Sequence, residues 1–282
     1  INPGIIAMAT AAKGTVANDN GGASPTPPGS GEEEPSAAGD FVDFRGERYY
    51  RISDVDRMPP FFISLVSAGD HWLFVASNGG LTLGRLSPET ALFPYITVDR
   101  IYESTPHTGP LSLVRVMNDG GHWLWEPFKV AHEGRYRISR NLYRNVAGSK
   151  LVFEEINDDL ELAFRYGWRT SEAYGFCRDS ELENLGSERC ELQLLDGLQN
   201  LLPAGTHRGT QARASYLVDA YKRSELDVES GLGMFTLNAA ITDRAEPAES
   251  LRASTVFQLG LDAPSILLSS RQVEAFKQSG NV

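Results

Sequence analysis

Past residue 40 the chain alternates apolar and polar positions in short bursts, separated by Gly, Asn, Asp and Pro. The clearest burst sets Leu160, Leu162, Phe164, Tyr166 and Trp168 against Glu161, Ala163, Arg165, Gly167 and Arg169. A period of two with one apolar side is the pattern of a strand with one buried face. The apolar run "KLVFEEI" (150–156) precedes it across Asn157-Asp158-Asp159, which predicts a hairpin. A second hairpin is predicted around Asn118-Asp119-Gly120-Gly121, between "LSLVRVM" and "HWLWEPF". A third turn is read at Asn78-Gly79-Gly80, and "CELQLL" is expected to end in a turn at Asp196-Gly197. Further strands are read at 47–52, 61–67, 72–77, 135–139, 233–241 and 254–261. Helix is scarce. Residues 210–226 carry Ala214, Leu217, Val218 and Tyr221 near one face, and 269–278 begins with a capping serine. The expectation is a mostly β chain, a large antiparallel β-sandwich with one or two short helices.

Composition divides the chain. Residues 13–39 are rich in Gly, Pro, Ser, Asn and Glu, too polar to bury the surface that ordering requires. A disordered polar tail is therefore expected over 1–40, followed by the sandwich over 41–282. The first methionine is Met8, and a natural start there is expected. The stretch around it lacks a basic segment and a long apolar run, so it makes a poor signal peptide. A cytoplasmic location is expected. A net charge of −11 excludes a basic footprint for nucleic acid or for an anionic membrane. No unbroken apolar run approaches membrane-spanning length. The two cysteines, Cys177 and Cys190, cannot build a disulfide framework and read as small packing residues, with a cross-strand pair open in an oxidising compartment.

Candidate chemistry is thin. "SNGGLTLGR" lacks the Lys-Ser/Thr ending of a phosphate loop and reads as a hairpin. The five histidines show no metal-ligand spacing. "LSS" at 268–270 lacks the glycines of a nucleophile elbow. Glu154 and Glu155 are adjacent on a strand and point to opposite faces, so they cannot both face one sugar. Edge charge or turn capping is expected for them. Trp123 and Trp125 share a face, either as a stacking platform for sugar rings or as filling between two sheets. His-Trp-Leu occurs at 71–73 and again at 122–124, each copy following a turn cluster. The echo reads as two strands leaving turns with an aromatic side chain pointing inward.

Taken together, "ERYYRISDVDRMPPFFISLVSAGDHWLFVASNGGLTLGR", "ALFPYITVDRI", "KLVFEEINDDLELAFRYGW" and "DRAEPAESLRASTVFQLGL" resemble the N-terminal β-domain of bacterial cellobiose-phosphorylase-like enzymes. Arg48, Tyr50, Ile52, Asp54, Pro59 and Gly79-Gly80 carry the opening motif, and the likeness spans about residues 41–280. The resemblance implies a supersandwich that precedes an (α/α)6 helical barrel. The barrel holds the general acid and the residues for inorganic phosphate, so no catalytic residue and no cofactor are carried onto this chain.

The resemblance thus implies a non-catalytic domain of a glycoside phosphorylase or hydrolase. It would pack on the barrel and help frame an oligosaccharide site, with a homodimer left open. Trp72, Trp123, Trp125, Arg244, Glu246 and Arg252 are the candidates for carbohydrate binding or for facing the barrel, and Trp168 is a further stacking candidate. No metal ligand is expected. Two rivals stand beside this: a free-standing carbohydrate-binding module and a purely structural assembly domain.

Overall fold

The computed structural model describes residues 6–16 (main chain), 37–118, 120–241 and 251–280. Its strands are β1 (Ile6–Val16), β2 (Ala38–Phe44), β3 (Glu47–Ser53), β4 (Phe62–Ser64), β5 (His71–Ala76), β6 (Leu81–Arg85), β7 (Gly109–Asn118), β8 (Gly121–Trp125), β9 (Ile138–Asn145), β10 (Leu151–Asn157), β11 (Leu162–Ser171), β12 (Gly175–Asn184) and β13 (Cys190–Gln199). Helix α1 (Arg208–Tyr221) follows, then β14 (Lys222–Asp227), β15 (Leu232–Leu237), β16 (Ser254–Val256), β17 (Ser265–Leu267) and helix α2 (Ser270–Ser279). The fold is mostly β and antiparallel, as the alternation predicts.

Two large sheets share the main core. One has the order β17-β1-β13-β7-β8, the other β12-β11-β10-β9-β3-β2. Leu162, Phe164, Tyr166 and Trp168 turn inward from β11, as their spacing requires. They meet Leu151 and Phe153 of β10, Leu142 of β9, and Val114, Trp125 and Leu192 of the facing sheet. Two three-stranded sheets, β4-β5-β6 and β14-β15-β16, join this core through Leu73, Val75, Leu81, Leu83 and Phe235. The outer face of the first large sheet is covered by α2, whose Val273 and Phe276 pack on Leu113, Leu195 and Leu267. Ser269 caps α2 by accepting the Arg271 N–H, and Gly280 closes it in the left-handed conformation. Arg115 donates to the Phe276 and Lys277 carbonyls at 2.6 and 3.2 Å, which fastens the helix to β7.

Four expectations change. The tail expected over 1–40 contains a strand: β1 lies between β13 and β17, where it satisfies two edges that would otherwise stand unpaired. Residues 17–36 lie outside the described residues. The helix expected over 210–226 stops at Tyr221, because Lys222–Asp227 pairs with Leu232–Leu237 as a hairpin. Asp196-Gly197 is not a turn; Asp196 faces Ser112 and Gly197 faces Leu111 inside the β13–β7 ladder. The strand read at 135–139 starts only at Ile138 and runs on to Asn145.

The Asn78-Gly79-Gly80 turn does join β5 to β6, with Gly79 at φ +89. Gly84 is required opposite Trp72: a Cβ there would lie 2.6 Å from the indole. Cys177 and Cys190 are free thiols on strands of different sheets.

Candidate functional site

An open cleft of about 450 Å³ lies at one edge of the shared core. Pro127 ends the β8 ladder, since proline has no N–H to donate, and residues 126–131 then form one wall. The opposite wall comes from Tyr102, Thr105, Pro106 and the start of β7, and the Asn78-Gly79 turn closes one end. Arg140 of β9 and Tyr166 of β11, both inward-facing, form its base.

The base is built around Glu155. This side chain is 0% exposed, on the inward face of β10. It accepts hydrogen bonds from Trp125 Nε1 at 2.7 Å, the Phe128 N–H at 2.7 Å and Arg140 Nε at 2.8 Å. Arg140 Nη1 donates to Glu133 at 2.7 Å, while Arg140 Nη2 is buried with no hydrogen-bond partner. Burial acts to lower the Arg140 pKa, but Glu155 and Glu133 outweigh it and raise it. Burial raises the Tyr166 phenol.

The wall itself is held in an unusual conformation. Phe128 has φ +66, the left-handed region that a bulky side chain avoids. Its N–H is fixed by Glu155 and its ring sits edge-on against Tyr166, with centroids 5.1 Å apart. Next to it, Glu126 pairs with Lys129 and, at 3.6 Å, with Lys277 of α2. The Glu126 N–H donates to Nδ1 of buried His132 at 3.1 Å, and burial lowers the His132 pKa.

A second buried pair joins the two large sheets. Arg178 of β12 binds Asp196 of β13 through two hydrogen bonds, at 2.8 and 2.9 Å, and stands 4.9 Å above the Tyr166 ring. Ser112, which lines the cleft, donates to Asp196 at 2.6 Å.

The four tryptophans are not gathered on one exposed face. Trp125 is 0% exposed and serves Glu155. Trp168 is buried, and Trp72 lies over Gly84 with Tyr95 at 6.3 Å. Trp123 is 49% exposed, so the expectation that both echo strands turn this aromatic inward fails for β8, an edge strand. None of the four lines the cleft. Arg252 is exposed, whereas Arg244 and Glu246 lie outside the described residues. Glu154 and Glu155 do point to opposite faces, but β10 is a central strand and both are buried in hydrogen-bonded clusters rather than acting as edge charge or turn caps.

Sequence reasoning missed Arg140, Tyr166 and the 126–131 wall as site residues. One signal was present: positions 151, 153 and 155 share the inward face, and a glutamate in such a series needs buried partners.

Ser67, Asp70 and His71 lie together but lack the geometry of a catalytic relay. Ser67 Oγ and Asp70 Oδ1 both approach Nδ1 of His71, at 3.5 and 3.9 Å, whereas a relay places acid and nucleophile on opposite ring nitrogens. Among the described residues, no group of His, Cys, Asp and Glu is placed to hold a metal ion. No described helix is long and apolar enough to cross a membrane. Compared with known proteins, the chain matches no family model and no curated sequence.

Proposed function

We propose that this chain is a non-catalytic, ligand-holding β-domain of a carbohydrate-active enzyme. The observation that carries the reading is the state of the cleft. It is open and of ligand size, yet its ionisable side chains are tied to one another: Arg140 to Glu155 and Glu133, Lys129 to Glu126, and Glu103 to Arg100. A general acid or base needs a pKa near the working pH and reach to a reacting atom, and a charge committed to an ion pair is poorly suited to both. A cleft of paired charges holds a ligand in place instead. Catalysis, and any use of inorganic phosphate, then belongs to a helical partner domain of the kind the family resemblance implies.

A docking role finds support at the C-terminal side. Leu251, Arg252, Phe257 and Leu259 are all exposed, and Phe257 meets the exposed Tyr174 with ring centroids 6.0 Å apart. The free thiols fit a reducing compartment, and we place the protein in the cytoplasm.

The test uses the purified chain. No hydrolysis or phosphorolysis of cellobiose or β-1,2-glucan fragments is expected, while a sugar titration should give saturable binding. Turnover abolished by a substitution in the chain would reverse the reading. Absence of any sugar response would favour a structural assembly domain.

A further inference from the structure

Resting on that reading, we infer that the cleft over Arg140 and Tyr166 binds an uncharged polyhydroxylated ring, and discriminates against phosphorylated or acidic sugars. Three observations converge on this chemistry. The first is charge. A phosphate or carboxylate needs a cation that is available to it, and here Arg140 and Lys129 are both engaged by carboxyl groups at the cleft. An anion would have to displace Glu155 or Glu126 and leave that buried carboxyl group without its partner, or compete with the exposed Glu133 for Arg140. The net charge of −11 adds long-range repulsion.

The second is hydrogen bonding. Arg140 is 9% exposed and lines the cleft, and its Nη2 is a buried donor without an acceptor. Such a group costs stability unless something completes it. Nη2 is closed to solvent, so a ligand reaches it only after a small shift of the Arg140 side chain; a hydroxyl oxygen then accepts from it without bringing charge. Around the base stand further neutral polar groups: the Gln199 amide, and the Thr105 and Ser112 hydroxyls, whose protons go to the Tyr102 carbonyl and to Asp196 and which therefore offer acceptor lone pairs.

The third is shape. The half-exposed ring of Tyr102 stands with Pro106, Pro110 and Pro127 in the walls. These are flat, rigid C–H surfaces suited to the apolar face of a sugar ring. At about 450 Å³ the cleft is within the usual range for small-ligand sites, roughly 300–1,000 Å³. A second depression of about 400 Å³ beside α1 lacks this combination: its cations Arg208 and Lys222 pair with Glu89 and Asp219, and none of its lining residues holds a buried polar atom without a partner.

Calorimetry and saturation-transfer NMR on the full chain, with cellobiose, glucose 1-phosphate and glucuronate as probes, test the inference. Cellobiose should bind and the two anions should bind at least about tenfold more weakly, a difference of about 1.4 kcal/mol. Tyr102→Ala, which removes an exposed ring from a short turn, should weaken cellobiose by about tenfold at unchanged Tm. Tyr216→Ala, an exposed tyrosine on α1, should change nothing. Tighter binding of glucose 1-phosphate, or cellobiose binding indifferent to Tyr102→Ala, would overturn the inference and leave the sugar-holding reading intact. Failure of all three probes would bring down that reading together with the inference.

Discussion

Glu154 and Glu155 are neighbours in sequence, but the pleat of β10 sends them into two different regions. Glu155 turns into the shared core, and Glu154, 3% exposed, turns to the outer face of the same sheet. There it accepts from Tyr143 Oη and Asn141 Nδ2, both at 2.7 Å, and pairs with Arg165. Arg165 is also bound by Glu181 and Glu183, so the outer cluster has carboxyl groups in surplus. The inner cluster has none to spare. Glu155 alone holds Trp125, the strained Phe128 and one edge of Arg140, and Arg140 still has an unused N–H. The outer cluster closes a sheet face with redundancy. The inner one trades redundancy for a fixed cleft wall.

The largest effect should therefore come from Glu155→Ala. It strands a buried guanidinium with only Glu133 and removes the acceptor that holds Phe128, so a loss of about 3–5 kcal/mol is expected in urea unfolding. Sugar binding should fall with it, and Glu155→Gln, which retains an acceptor oxygen, should recover part of the stability. Glu154→Ala should cost less, about 1–3 kcal/mol, because Arg165 keeps two partners and mainly the Tyr143 and Asn141 bonds are lost. Its effect on ligand binding should be slight. Equal losses for the two alanine variants, or a binding defect in Glu154→Ala, would break the distinction between the two faces.

Part of this arrangement was legible in the sequence because it is local. The β10–β11 hairpin follows from alternation across Asn157-Asp158-Asp159, and the Ser269 cap of α2 needs no tertiary information. Strand β1 was not legible: its run "IAMATAAKGTV" is mostly small, and it pairs because β13 and β17 offer it two edges. Asp196 carries the signal of a turn residue, yet it is consumed by Arg178 from the other sheet. The same limit applies to the site. Its base and walls come from residues near 78, 102–112, 126–131, 140 and 166, which only the fold brings together. The tryptophan pattern left stacking and packing both open, and because indoles bury large areas three of the four were drawn largely into packing. What sequence did offer was the inward position of Glu155.

The smallest effect should appear with acid, and it separates the cleft wall from the edge hairpin. His132 accepts the Glu126 N–H through Nδ1, so its role in the wall needs the neutral ring. Burial lowers its pKa most; Glu126 partly offsets this, while Arg135, Lys129 and Lys277 add to the lowering. His122, on β8, is lowered as well, by burial and by Arg115. A folded pKa below the unfolded value means that above about 6.5 both states are neutral and stability is complete. As pH falls below that point the unfolded chain takes up protons that the folded protein refuses, and stability declines until the folded pKa is reached. Each histidine contributes at most about 1.4 kcal/mol per pH unit to this slope. Urea midpoints measured between pH 7.5 and 5 should therefore fall with acid. His132→Gln should flatten the slope and also remove any acid sensitivity of sugar binding, whereas His122→Gln should flatten the slope alone. If His122→Gln altered the pH profile of binding and His132→Gln did not, the wall would not be what holds the cleft.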